Sequence, residues 1–193
     1  MEPKESREGP TDDATDEALM ILGLDVSTSI TGYALLDGDK IILNGAWDTR
    51  KYKDFFDKVT HVRAGLEEVY REYGPEIRAV YIEQSLQSFR SGFSSAKTLS
   101  TLSRFNGVVS WLVFDLYKIK PEYLAATSAR KLCGIRVPRG QKAKAVVLDY
   151  LLENEPSFVI EYTRHGNPKP DSYDRADSIV IARAGRISEN KRK

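Results

Sequence analysis

MILGLDVSTSITGYALLD, residues 20–37, decides the fold. Apolar residues from Met20 to Leu24 run into one carboxylate, Asp25, then into a small polar turn from Ser27 to Ser29. A second β-rich run, residues 31–36, follows. Two such runs joined by a Ser/Thr turn predict a β-hairpin. Aspartate is depleted in strand interiors and costly to bury unless paired or bound to a cation. At a strand end it is ordinarily a turn former. Here it has company: Glu83 and the pair Asp174 and Asp177 recur further along the chain.

Outward from the hairpin, residues 40–49 (KIILNGAWDT) read as a third strand reached through Asp37-Gly38. Phe55, Val59, Val62, Leu66, Val69 and Tyr73 fall at spacings of 4, 3, 4, 3 and 4, which predicts a helix over 52–73, ended by Gly74-Pro75. A fourth strand, 77–82, delivers Glu83 at its end. A long helix is expected over 95–117, a short fifth strand over 123–126, helices near 128–133 and 141–152, and a last helix from about Asp171. Three strands in meander, then strands alternating with helices, predict an α/β fold with a five-stranded mixed sheet flanked by helices on both faces. In such sheets ligands gather at strand ends. If the first and fourth strands are neighbours, Asp25 and Glu83 converge.

Hydrophobic content of 41% with 30% charged residues describes a soluble globular domain. The longest apolar run, residues 108–114, is too short to span a bilayer, so no membrane association is expected. The first residues are polar and acidic, unlike a secretory or Arg-rich transit leader. Cys133 is the single cysteine, which excludes an internal disulfide and suits an intracellular, reducing compartment. Seven acids against two bases in residues 1–18 read as a disordered acidic tail, and residues 189–193 as a basic one. The domain between them is 19–188, and the chain beyond residue 18 is moderately basic, with 27 basic and 21 acidic residues. That permits a polyanionic partner.

In KPDSYDRADSIVIARAG, residues 169–185, Asp174 and Asp177 stand three apart on one helix face. Their mutual repulsion calls for a compensating cation. Asp171 reads as an N-cap or first-turn residue. Ala176, Ile179, Val180 and Ala182 make the helix apolar around Asp177, which argues against a purely solvated role. Four carboxylates from three elements suit hard divalent cations, and Mg²⁺ completes its shell with water and phosphate. Two such ions about 4 Å apart hydrolyse phosphodiesters without a serine, cysteine or histidine nucleophile.

LGLDVSTSITGYALL, AVYIEQ and DRADSIVIA, in that order across residues 22–182, resemble the RuvC-type Holliday-junction resolvases of the RNase H-like superfamily. The resemblance implies Asp25, Glu83, Asp174 and Asp177 as metal ligands and catalytic groups, with Asp25 between two Mg²⁺ ions, which Mn²⁺ can replace. It implies paired nicking of four-way and other branched DNA by a homodimer. The DVSTS turn, in place of a Pro-Gly turn, and the long approach over 154–173 look closer to divergent viral, phage or organellar members.

Residues 130–144 (RKLCGIRVPRGQKAK) carry Arg130, Lys131, Arg136, Arg139, Lys142 and Lys144 without an acid, which suits phosphate contacts. Lys131, or Arg130 in its place, and Lys142 are similar to the basic residues the family sets near the scissile phosphate; Lys142 is counted as catalytic. The segment QSLQSFRSGFSSAK after Glu83 interleaves Leu86, Phe89 and Phe93 with Arg90 and Lys97, a pattern able to stack on unpaired bases. Leu86 or Phe89 would be the counterpart of the family's apolar wedge. His61 is read as a surface or boundary residue of the first helix; His165, in a loop, can approach the metals, but Asp174 fills the role some members give a histidine. Trp47 and Trp111 read as core or interface. DVSTSITGYALL also resembles the phosphate-binding hairpin of actin-like ATPases and sugar kinases, whose second domain and Gly-rich nucleotide segment 193 residues do not accommodate. A non-catalytic RNase H-like module is the other alternative, and the four acids speak against it. The long helix, apolar over much of its girth, together with the loop preceding it, is the expected self-association surface.

Overall fold

A computed structural model describes residues 20–84 and 96–192. The acidic N-terminal segment and the segment bearing Leu86, Phe89, Arg90 and Phe93 lie outside the described residues. Strands β1 (Met20–Asp25), β2 (Ile30–Asp37) and β3 (Lys40–Asp48) form the expected antiparallel meander, turned between β2 and β3 by Gly38 at φ 55°. Strand β4 (Ile77–Glu83) lies parallel to β1, and β5 (Glu122–Leu124) parallel to β4. The order is β3-β2-β1-β4-β5, so the first and fourth strands are neighbours.

Helices α1 (Phe55–Tyr73) and α2 (Ala96–Tyr117) cover one face of the sheet. On the other face lies α5 (Asp171–Asn190), with α3 (Ala126–Leu132) and α4 (Ala143–Asn154) packed against it. Element ends shift from their expected positions for local reasons. The first helix begins at Phe55 rather than 52 because the Asp54 carboxylate caps it, accepting from the Phe56 and Asp57 amides at 2.7 and 3.2 Å. The fourth begins at Ala143 rather than 141 because residues 138–141 close a turn and Gly140 takes φ 85°. The fifth strand stops at Leu124, since Ala125 is already the N-cap of α3. Residues 189–193 were expected as a tail, yet α5 continues to Asn190 and Arg192 pairs with both Glu122 oxygens at 2.6 Å.

The twofold alternation of strands decides which carboxylates meet. In β1, Leu22 and Leu24 enter the core beneath α1 and α2, while Ile21 joins the core beneath α5. Asp25 shares the parity of Ile21. In β4, Val80 and Ile82 face α1 and α2, Tyr81 faces α5, and Glu83 follows Tyr81's parity. Both carboxylates therefore point to the α5 side. Helix α5 approaches that side closely because the strands offer glycine there: a Cβ on Gly32 would overlap the carbonyl of Asp174, and one on Gly23 would lie 2.5 Å from the Ser178 carbonyl oxygen. Arg175 fastens the start of the helix, giving Nη2 to Asn44 Oδ1 at 2.6 Å and to the Val159 carbonyl at 2.9 Å.

Gly32→Ala must push α5 off the sheet, because the obstruction is backbone. We expect it to cost about 3 kcal/mol in urea unfolding. Gly38→Ala, which meets open space and pays only for φ 55°, should cost about 1 kcal/mol.

Candidate metal centre

Asp25 ends β1, and the turn after it is closed by its own side chains. Ser27 Oγ donates to the Ile30 carbonyl at 2.7 Å and accepts from the Ser29 and Ile30 amides. Thr49 Oγ1 and Lys58 Nζ donate to the Thr28 carbonyl at 2.9 and 2.5 Å. The polar run that sequence alone marks as a turn is thus a rigid clamp behind Asp25. Glu83 lies beside it across the parallel β1–β4 pairing, one residue beyond the Leu24–Ile82 register pair. Asn106 of α2 donates to the Glu83 carbonyl at 3.3 Å. From α5 come Asp174 and Asp177, three residues apart in its first turns.

Asp25, Glu83 and Asp177 each offer one oxygen, and the three oxygens lie within 4.8 Å of one another. Asp25 and Asp177 are buried, at 7% exposure each, and Glu83 is half-buried. Asp174 joins through Lys144 of α4, whose Nζ lies 2.8 Å from Asp174 Oδ1, 3.5 Å from Asp177 Oδ2 and 3.6 Å from Asp25 Oδ2. Hard oxygen donors crowded at this spacing, with a cation already drawn among them, fit divalent metal.

The electrostatics agree. Burial, and after it the charge of Glu83, raises the Asp25 pKa well above the usual carboxylate range. Burial first and Asp177 next push Glu83 up to about 7. Asp177 is raised by burial, with Lys144 working against the shift. Burial draws the Lys144 pKa down, but Asp25, Asp174 and Asp177 outweigh it and hold the ammonium protonated.

The expected basic residues divide between two places. Arg130, Lys131 and Arg136 line an open cavity of about 380 Å³, and the charge of Arg130 reaches Glu83 and Asp177. Arg139 and Lys142 are exposed on the loop that enters α4. Lys142, expected nearest the chemistry, is the extended residue before α4; Lys144 is the lysine that meets the carboxylates. The signal was present in the spacing, since residue 144 shares a helix face with the buried Val147, Leu148 and Leu151. Asn106 was missed because a polar residue inside an apolar stripe gives no direction from sequence. His165 is exposed and hydrogen-bonded to Arg164, outside the carboxylate group. His61 meets Tyr52. Burial pushes the Cys133 thiol up to about 11, which removes it as a nucleophile. Trp47 is buried against Tyr33, whereas Trp111 is 57% exposed.

The chain matches no family model. By sequence it is 34% identical over 77 residues to the crossover junction endodeoxyribonuclease RuvC of Trichlorobacter lovleyi, a match covering 36% of this chain and 43% of that protein. It is 36% identical over 66 residues to RuvC of Citrifermentans bemidjiense, covering 32% and 40%. These matches span less than half the length of either relative. By structure it resembles Thermus thermophilus RuvC in complex with a Holliday junction substrate, with a TM-score of 0.62 at 14% identity over 90% of this chain and 96% of that one. The fold is that of RuvC. The yeast mitochondrial Holliday junction resolvase Ydc2 shares the RuvC-like architecture, with a TM-score of 0.57 at 13% identity over 91% and 82%. Among the described residues no helix is long and apolar enough to cross a membrane.

The raised carboxylates carry a stability signature. A group whose pKa is raised by folding holds its proton more tightly in the native state. Its contribution is full below the ordinary value of 4.5 and is lost as pH rises toward the Glu83 value of about 7. We expect the metal-free melting temperature to fall across that window in calorimetry with EDTA. Asp25→Asn should flatten the fall; a melting temperature that rises with pH would contradict the assignment.

Proposed function

We propose that this chain is a structure-selective endodeoxyribonuclease that resolves four-way DNA junctions by paired nicks, with Asp25, Glu83, Asp174 and Asp177 holding two divalent ions. Mg²⁺ is the expected ion, with Mn²⁺ able to substitute. The observation that carries this reading is the meeting of Asp25, Glu83 and Asp177 oxygens within 4.8 Å on a RuvC-like sheet. When bound, such ions supply a Lewis acid for the attacking water and the leaving oxygen. The protein's own contribution is geometric. The Ser27 clamp fixes Asp25, the β1–β4 register fixes Glu83, and the glycine contacts fix α5 and its two aspartates. Arg130, Lys131, Arg136, Arg139 and Lys142 form the cationic approach for the DNA backbone, where they neutralise phosphates without reading bases.

Two nicks of like polarity in a four-way junction call for two sites related by a twofold axis, so a homodimer is part of this proposal. Its support is an exposed aromatic patch: Trp111 and Phe114 of α2, with Tyr123 bonded to Ser110 beside them. Their faces are apolar and large, as a subunit contact requires. Wild-type protein should scatter light at about twice the 21.8 kDa chain mass at micromolar concentration. Trp111→Glu should give a monomer and convert paired nicks to single ones; a Trp111→Glu dimer would place the contact elsewhere.

The catalytic reading is tested on a synthetic junction, with ATP hydrolysis measured as the control activity. Asp25→Asn, Glu83→Gln and Asp177→Asn should each reduce Mg²⁺-dependent nicking by about a thousandfold or more while keeping junction affinity within a few-fold. Arg139→Ala with Lys142→Ala should instead weaken junction binding and lower its salt dependence. Acidic variants that cut at the wild-type rate would refute the site.

A further inference from the structure

Lys144 stands where a cation bridging β1 and α5 would stand. Its ammonium lies within 2.8–3.6 Å of carboxylate oxygens on Asp25, Asp174 and Asp177. Two of those three residues, Asp25 and Asp177, also belong to the group whose oxygens lie close enough to share one ion. An ammonium at this distance and a divalent ion on the same carboxylates repel in a partly buried setting. The Lys144 side chain is 57% exposed, so an outward swing of the ammonium need not disturb the core around Val147, Leu148 and Leu151.

We propose that Lys144 is a resident counter-ion that the divalent metal must displace. In the metal-free chain it holds together aspartates that would otherwise repel one another across the β1–α5 contact. It thereby makes metal binding an exchange of one cation for another, and it sets the metal concentration at which the site fills. This inference rests on the nuclease reading of the carboxylates. It concerns a property that reading does not require, because replacing a lysine that served only as packing or as a phosphate contact would leave metal affinity unchanged.

The test uses the full chain, stripped of metal, as wild type, Lys144→Met, Lys144→Gln and Lys144→Arg. Free Mn²⁺ is titrated by electron paramagnetic resonance, and melting temperature is followed in EDTA and with added Mn²⁺. Neutral replacements should melt lower than wild type in EDTA. They should bind Mn²⁺ about tenfold more tightly or better, so that their melting temperature recovers as Mn²⁺ is added. Lys144→Arg should remain within about threefold of wild type. The glutamine variant keeps the test open if the methionine variant does not fold. Neutral variants that bind Mn²⁺ no more tightly than wild type, while Asp25→Asn abolishes binding, would overturn this inference alone. No Mn²⁺ binding by any folded variant would overturn it together with the nuclease reading.

Discussion

Helix α5 lies so close to strands β1 and β2 that a single methyl group does not fit between them at Gly32 or Gly23. The rest of the site depends on that contact. Two carboxylates reach the sheet edge by strand parity, and nothing in the sheet can add to them. The other two come on a helix, and a helix held at ordinary side-chain distance would leave them too far away. Glycine in a strand interior weakens the strand. Here the loss is exchanged for the approach of Asp174 and Asp177, and Arg175 locks that approach to Asn44 of β3 and to the loop carbonyl of Val159. The gathering of the carboxylates rests on a backbone contact that a larger side chain at Gly32 or Gly23 would push apart.

The price of this assembly is electrostatic. Asp25 and Asp177 are almost fully buried and Glu83 half so, and burial is the largest influence on each. Burying a carboxylate without compensation is unfavourable, and gathering several multiplies the penalty. The fold has two ways to lower it without metal: to keep protons on some of the acids, as the raised values indicate, and to draw in Lys144. Both are reversible, which suits a site built to receive a cation. A permanent solution, such as a buried arginine fork, would neutralise the acids and close the site to metal.

Much of this was legible in the sequence, because the decisive features are local or periodic. The hairpin of residues 20–37, the carboxylate at the end of each buried strand and the i, i+3 aspartates of the last helix are patterns that one segment carries alone. The order β1-β4 was an inference, and the parallel register establishes it. What sequence did not show is what depends on distances between segments. Lys144 and Lys142 are chemically alike and two residues apart; only the start of α4 at Ala143, forced by the turn at Gly140, decides which one faces inward. Asn106 looks like an interruption in an apolar helix until Glu83 lies beside it. Trp111 is apolar like Trp47, yet one faces outward and the other stacks in the core, and helical spacing alone does not tell which side of α2 meets the sheet.

The positions of the two cationic groups follow from the same layering. Helix α4 packs on α5, so a lysine at its start arrives above the aspartates of α5 and beside Asp25 at the end of β1. The loop before α4 and the end of α3 stay outside this layer, and their basic residues remain exposed or line an open cavity. A single helix start therefore separates the basic residues of the loop from the one lysine that reaches the carboxylates. Charges in the first group are solvated and screened by salt, whereas Lys144, itself 57% exposed, sits against aspartates that are largely buried. The solvated cations and the one at the carboxylates thus occupy different places, although all lie within the same fifteen-residue segment, 130–144.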